Sequence, residues 1–155
     1  MADNHTELAS LIEYIDRVRA GMESVLEEID PKFEISPGWT IREVICHITA
    51  WEIVIDKAVK VYLAGDPPFF LLEQDFDIFN DEAVDCRGDW TLDQVFAEWK
   101  NVRAALRDTI GKLKETDLEV EMVLPWGSER TVAELIEIIG EHESEHMDEI
   151  KKAVE

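Results

Sequence analysis

Residues 131–154 read TVAELIEIIGEHESEHMDEIKKAV. Val132, Leu135, Ile136, Ile139, Met147 and Ile150 recur at intervals of three and four, which predicts one amphipathic helix with a single buried face. His142 and His146 fall inside that apolar stripe. At about 100° per residue, Leu135, Ile139, His142, His146 and Ile150 share a sector roughly 80° wide. Two imidazoles one turn apart and aimed at a core can share a metal ion.

Working outward, Thr131 opens this helix as a capping box with Glu134. The same device recurs at Thr40 with Glu43 and at Thr91 with Gln94, each time after a tryptophan, Trp39 or Trp90. Each box precedes an apolar-periodic segment. The second predicted helix carries Ile41, Val44, Ile48, Trp51, Ile55, Val59 and Tyr62 on one face and ends near Ala64-Gly65. Trp39 is placed to pack on Val44 as a hydrophobic staple. His47 lies on the flank of this face, about 40° from Trp51. The third carries Leu92, Val95, Phe96, Trp99, Val102, Leu106, Ile110 and Leu113. The first runs from about Asn4 to Ile29, with Leu8, Leu11, Ile15, Val18, Met22 and Val25 in phase, and stops at Asp30-Pro31.

Four such helices predict an all-α, four-helix bundle, with residues 1–155 as one domain. The connection between the second and third, Asp66 to Asp89, is far longer than the usual ~2–8 residues. It can carry the chain from one end of the bundle to the other, leaving those two helices parallel. Phe69, Phe70, Phe76 and Phe79 make it too apolar for a free loop. They are expected over the bundle end, with a helical turn at Asp77 to Val84. Before the last helix, Leu118, Val120, Met122 and Leu124 alternate with acidic residues, an extended pattern turned by Pro125-Trp126-Gly127-Ser128.

The chain carries 36 acidic and 15 basic residues, a net charge of −21. That field repels phosphate backbones and anionic lipid, so nucleic acid and membranes are not expected partners. Cys46 and Cys86 are the only cysteines and form no C-x-x-C motif; Cys46 is expected on the outer side of its helix. The start has no basic region or signal-peptide core, and no apolar run approaches the ~18 residues of a membrane span. A cytoplasmic protein is expected.

His142 and His146 supply two imidazoles from one helix, and His47 a third from a facing one. Three protein ligands with an open position are the pattern of a catalytic metal site. The plainer alternative is three histidines hydrogen-bonded across a core. Glu43, Glu143, Glu145 and Asp148 are neighbouring carboxylates, with Glu143 and Glu145 the candidate proton acceptors. Trp51, one turn after His47, is a candidate pocket wall, with Phe79 and Asn80 as further pocket candidates. Nickel, zinc and iron stay open as the metal.

The run GWTIREVICHITAWE, residues 38–52, together with HESEH, residues 142–146, resembles the DinB/YfiT-like superfamily. The resemblance spans nearly the whole chain and rests on Trp39, His47, Trp51, His142 and His146. It implies an up-down-down-up bundle, often a homodimer, with a divalent metal on His47, His142 and His146. It also implies thiol-dependent transferase or isomerase activity with bacillithiol, mycothiol or glutathione. The metal would then activate the sulfur of this low-molecular-weight thiol. Other members hydrolyse or sequester reactive metabolites, including self-protection proteins that the Phe79-Asn80 and Thr91 region resembles. No basic cluster in this chain is laid out to receive an anionic thiol.

Two further classes compete with a metal-dependent enzyme acting on a small electrophile. One is a non-catalytic small-molecule binding or self-protection protein with a hydrophobic pocket under the phenylalanine-rich crossover. The other is a dimeric scaffold whose histidines are satisfied core residues.

Overall fold

The computed structural model describes residues 6–71 and 76–155. Asn4 and His5, where the first helix was expected to begin, lie outside the described residues, as do residues 72–75 of the crossover. Five α-helices dominate: α1 (Glu7–Glu27), α2 (Ile41–Ala64), α3 (Phe76–Asp85), α4 (Leu92–Ile110) and α5 (Val132–Ala153). Two antiparallel hairpins join them, β1 (Glu34–Ser36) with β2 (Trp39–Thr40), and β3 (Glu121–Val123) with β4 (Glu129–Thr131). The long helices expected from periodicity are α1, α2, α4 and α5. Among the described residues no helix is long and apolar enough to cross a membrane.

The threonines start helices as their sequence context predicts. Thr91 accepts from the Gln94 amide at 3.1 Å, and the Gln94 side chain accepts from the Thr91 amide at 2.9 Å. The Glu43 carboxylate accepts from the Thr40 amide at 2.9 Å. At α5 the box is only half made. Thr131 accepts from the Glu134 amide at 3.1 Å, but the Glu134 carboxylate turns towards Arg130, 3.6 Å away. Each hairpin ends on a capping threonine, so a helix–hairpin–helix unit occurs twice although the sequence shows no repeat. The extended piece around Met122 becomes β3, paired Glu121 to Thr131 and Val123 to Glu129. Gly127 turns this hairpin at φ 93°, a backbone region costly for any residue with a Cβ.

Contacts advance in step along α1 and α5. Tyr14 meets Gly140, Arg19 meets Glu143, and Gly21 meets Met147. Gly140 is required there, because an added Cβ would stand 2.3 Å from the Tyr14 ring. Along α2 and α4 the order also advances in step: Ile45 and Val95 share one apolar cluster, Glu52 pairs with Arg103, and Val59 and Ile110 share the other cluster. Two apolar clusters result. One joins Leu11, Ile15, Ile55, Leu106, Leu135 and Ile139, and the other Met22, Ile41, Ile48, Val95, Trp99 and Ile150.

The structure corrects three expectations. Cys46 is buried, with 1% of its surface accessible, not on an outer side. The α2 segment Val44–Ala50 is buried on every face, because α4, α5, α3 and β2 all pack on this helix. Cys86 is exposed. Phe76 and Phe79 lie on α3 against Trp51, halfway along α2, not over the bundle end. The buried stripe of α5 runs through Val132, Ile136, Ile139, Gly140, Glu143 and Ile150, with His142 and His146 half-buried on its flank. Apolar letters alone misplaced that stripe, because its centre is a glycine and a glutamate that fit α1.

Candidate metal centre

Helices α2 and α5 bring His47, His142 and His146 together. The Nε2 atoms of His47 and His142 are 2.9 Å apart, and those of His142 and His146 are 3.2 Å apart. One ligand atom from each histidine lies within 4.8 Å of the other two. The i, i+4 spacing on α5 sets the second pair and helix packing sets the first. Trp39, just ahead of α2, meets His47 edge-on with ring centres 6.0 Å apart.

The far nitrogens decide which way the lone pairs point. Asn80 Oδ1 accepts from Trp51 Nε1 at 3.0 Å and stands 2.8 Å from His47 Nδ1. Indole N–H is only a donor, so the amide oxygen is the acceptor for both, and His47 carries its proton on Nδ1. His146 Nδ1 is 3.0 Å from the Glu149 carboxylate, which likewise draws the proton to that side. With the proton of each ring held on Nδ1, the Nε2 atoms of His47 and His146 both point at His142 Nε2, where a single N–H serves two acceptors poorly.

One cation bound by all three rings would use these lone pairs. An ion about 2.0–2.1 Å from two imidazole nitrogens holds them about 2.9 Å apart at a right angle and about 3.4 Å apart at the tetrahedral angle. The observed 2.9 and 3.2 Å lie in that interval, while the group as a whole spans up to 4.8 Å, wider than the about 4.2 Å that two such bonds reach, so one ring would shift on sharing an ion. Burial, with His146 as a like neighbour, pushes His47 down to about 4, against the pull of Asn80 and Glu149. Burial, with His146 and His47, pushes His142 down to about 3. Both rings are neutral at pH 7, the state a metal ligand needs.

Beside the histidines opens a cavity of about 410 Å³ walled by Trp51, Phe76 and Trp126, with Asn80, Glu141 and Glu145 also on its lining. Trp51 and Asn80 occupy the pocket positions read from the sequence. Phe79 backs Trp51, with ring centres 4.5 Å apart, instead of lining the cavity. Glu145 reaches the cavity, whereas Glu143 does not. Glu143 is fully buried in an ion pair with Arg19, Nε to Oε1 2.9 Å, and lies 3.5 Å from Arg103. Glu43 is spent on its cap and Asp148 is exposed.

Sequence reading missed Glu149, although its i+3 spacing from His146 is a local signal. It also missed Glu141, Phe76 and Trp126 as lining residues. For Trp126 no local signal exists, since a hairpin turn some seventy residues further on delivers it to Trp51, ring centres 5.8 Å apart.

Residues 33–150 match the sequence model of the DinB superfamily. Over 138 residues the chain is 28% identical to the uncharacterized protein YuaE of Bacillus subtilis (strain 168), covering 81% of this chain and 85% of that one. Its fold is similar to a crystal structure of an uncharacterised protein from Escherichia coli UTI89, with a TM-score of 0.76 at 15% identity, over 94% of this chain and 91% of that one. It is also similar to a structure titled Sibling Lethal Factor Precursor - DfsB, with a TM-score of 0.77 at 20% identity, over 97% of this chain and 95% of that one.

Proposed function

The chain belongs to the DinB superfamily, and on that footing we propose that His47, His142 and His146 hold one divalent metal ion at the head of a substrate cavity. The chain is then a metal-dependent enzyme acting on a small electrophile. The convergence of three Nε2 atoms at 2.9 and 3.2 Å, with two of the outer nitrogens engaged elsewhere, carries the reading. The in-step contacts of α1 with α5 and of α2 with α4 support an up-down-down-up four-helix bundle as the scaffold.

A divalent ion there supplies Lewis acidity towards a nucleophile or a carbonyl oxygen. The protein supplies the rest. Asn80 and Glu149 hold the rings of His47 and His146 in their ligand tautomers. Trp51, Phe76 and Trp126 bind the apolar part of the substrate and exclude water. Glu145, on the cavity lining beside His142, is the proton acceptor. Glu143 leaves that role, because its carboxylate is committed to Arg19 and Arg103. Hydrolysis fits this lining better than transfer from an anionic thiol, since no Lys or Arg among the described residues lines the cavity.

Elemental analysis of untagged protein beside a His142→Ala variant tests the reading. Close to one equivalent of nickel, zinc or iron is expected in the parent and none in the variant. No metal in the parent after reconstitution would overturn it. The aromatic walls also favour a second reading, non-catalytic capture of an apolar ligand, which ligand binding undiminished by chelation and no turnover would support.

A further inference from the structure

The cavity beside the histidines has a charge pattern of its own. Three aromatic residues, Trp51, Phe76 and Trp126, wall it, and Glu141 and Glu145 stand one helical turn apart on its lining. Trp51 is fixed in place by its Nε1–H bond to Asn80 at 3.0 Å, with Phe76 and Trp126 set edge-on against it at 5.7 and 5.8 Å between ring centres. The other carboxylates nearby are engaged, Glu149 by His146 and Glu143 by Arg19. Neither Glu141 nor Glu145 has an ion-pair partner among the described residues.

We propose that this cavity takes a small organic cation, an amine or quaternary ammonium with an apolar or aromatic body, and turns away anionic thiols. Rings present a negative face to a cation, and enclosure by aromatic residues with a carboxylate beside them is the arrangement that holds alkylammonium groups. At about 410 Å³ the cavity lies in the range of about 300–1,000 Å³ typical of small-molecule sites. The net charge of −21 adds a field that concentrates cations at the surface and depletes anions. A peptide-like thiol bearing carboxylates would meet Glu141 and Glu145 with no guanidinium or ammonium to pair with. Two carboxylates on the lining also offset a divalent ion on the histidines, so the ligand's cationic end belongs at Glu141 and Glu145 and its apolar body against the rings. The inference rests on the same cavity as the proposed function, while its charge preference is independent of the ion.

The test is calorimetric titration of the full chain, chelator-treated and zinc-loaded, with benzyltrimethylammonium, phenylacetate and glutathione. The expected result in the chelator-treated chain is a cation bound at least about tenfold more tightly than either anion, the zinc-loaded chain reporting metal uptake. In the Glu141→Gln/Glu145→Gln double variant that advantage should fall about tenfold, and the parent's own preference should weaken in high salt. Both side chains are exposed, so the variant should keep the parent's melting temperature. Equal or tighter binding of an anion, no binding of the cation, or an unaltered preference in the double variant would overturn the inference. The arms separate the two readings: one equivalent of zinc without cation preference sinks this inference alone, and cation preference without zinc uptake sinks the metal reading alone.

Discussion

Two polar clusters share the middle of α2 and α5, and they are built on opposite terms. His47 and Glu52 lie five residues apart on α2, and His142 and Glu143 are adjacent on α5. The glutamates face inward. Glu52 Oε2 accepts from Arg19 at 2.8 Å and Glu52 Oε1 from Arg103, while Glu143 pairs with both arginines. Arg19 also donates to the Trp99 carbonyl at 3.2 Å and stacks on the Trp99 ring, and Arg103 donates to the Ile15 carbonyl at 3.0 Å. One residue comes from each of α1, α2, α4 and α5, so the two positive and two negative charges close a neutral ring. The histidines face outward to a cavity, and their three Nε2 atoms lack enough protons to satisfy one another. The closed cluster ties four helices together, whereas the open one leaves nitrogen lone pairs without donors.

The largest effect should come from breaking the closed cluster. Glu143→Ala leaves Arg19 and Arg103 sharing Glu52 alone, one buried positive charge uncompensated, and should cost about 3–5 kcal/mol in urea unfolding. Replacing all four ring residues with apolar ones of similar volume should be neutral or gain about 1–4 kcal/mol. A loss as large as that of Glu143→Ala would mean the ring contributes more than mutual neutralisation.

The open cluster should behave in the reverse sense. Metal at a hundred times its dissociation constant should stabilise the parent by about 2.7 kcal/mol, and chelation should remove that gain. In His142→Ala neither addition should shift the melting temperature. A variant that still responds to metal would place the ion elsewhere.

Acid sharpens the same contrast. His47 and His142 titrate at about 4 and about 3 in the folded chain, below the ordinary histidine value of about 6.5. The unfolded chain therefore binds more protons in that interval, so their contribution is complete above pH 6.5 and is lost as pH falls towards 3. Metal-free parent should lose stability across that window, and His142→Ala should flatten the slope. An equally steep profile in the variant would assign acid sensitivity to the carboxylates. Smallest of all, Trp51→Phe removes one of two donors to Asn80 Oδ1 and should cost about 0.5–1.5 kcal/mol while weakening metal retention.

Much of the site was legible because its rules are local. His142 and His146 are one turn apart in any helix, Thr91 and Thr131 start helices through amides three residues away, and Thr40 through the Glu43 carboxylate at the same spacing. The ring was not legible for a physical reason. Arg19 continues the Leu11, Ile15, Met22 stripe of α1 and reads as a surface charge until Glu143, 124 positions later, is brought 2.9 Å from it. By sequence Glu143 reads as a site carboxylate beside His142, yet adjacent helical residues point about 100° apart.

By itself, then, the sequence determined the helices, their starts and the spacing of the α5 histidine pair, since these depend on 3.6-residue periodicity and contacts within one turn. Helix packing set the 2.9 Å approach of His47, already a candidate in the sequence, the α3 and Trp126 walls of the cavity, and the place of Glu143 in the core. Those outcomes depend on the depth and rotation at which α1, α2, α4 and α5 pack. Gly140 against Tyr14 and the ring of four buried charges set both through residues far apart in the chain.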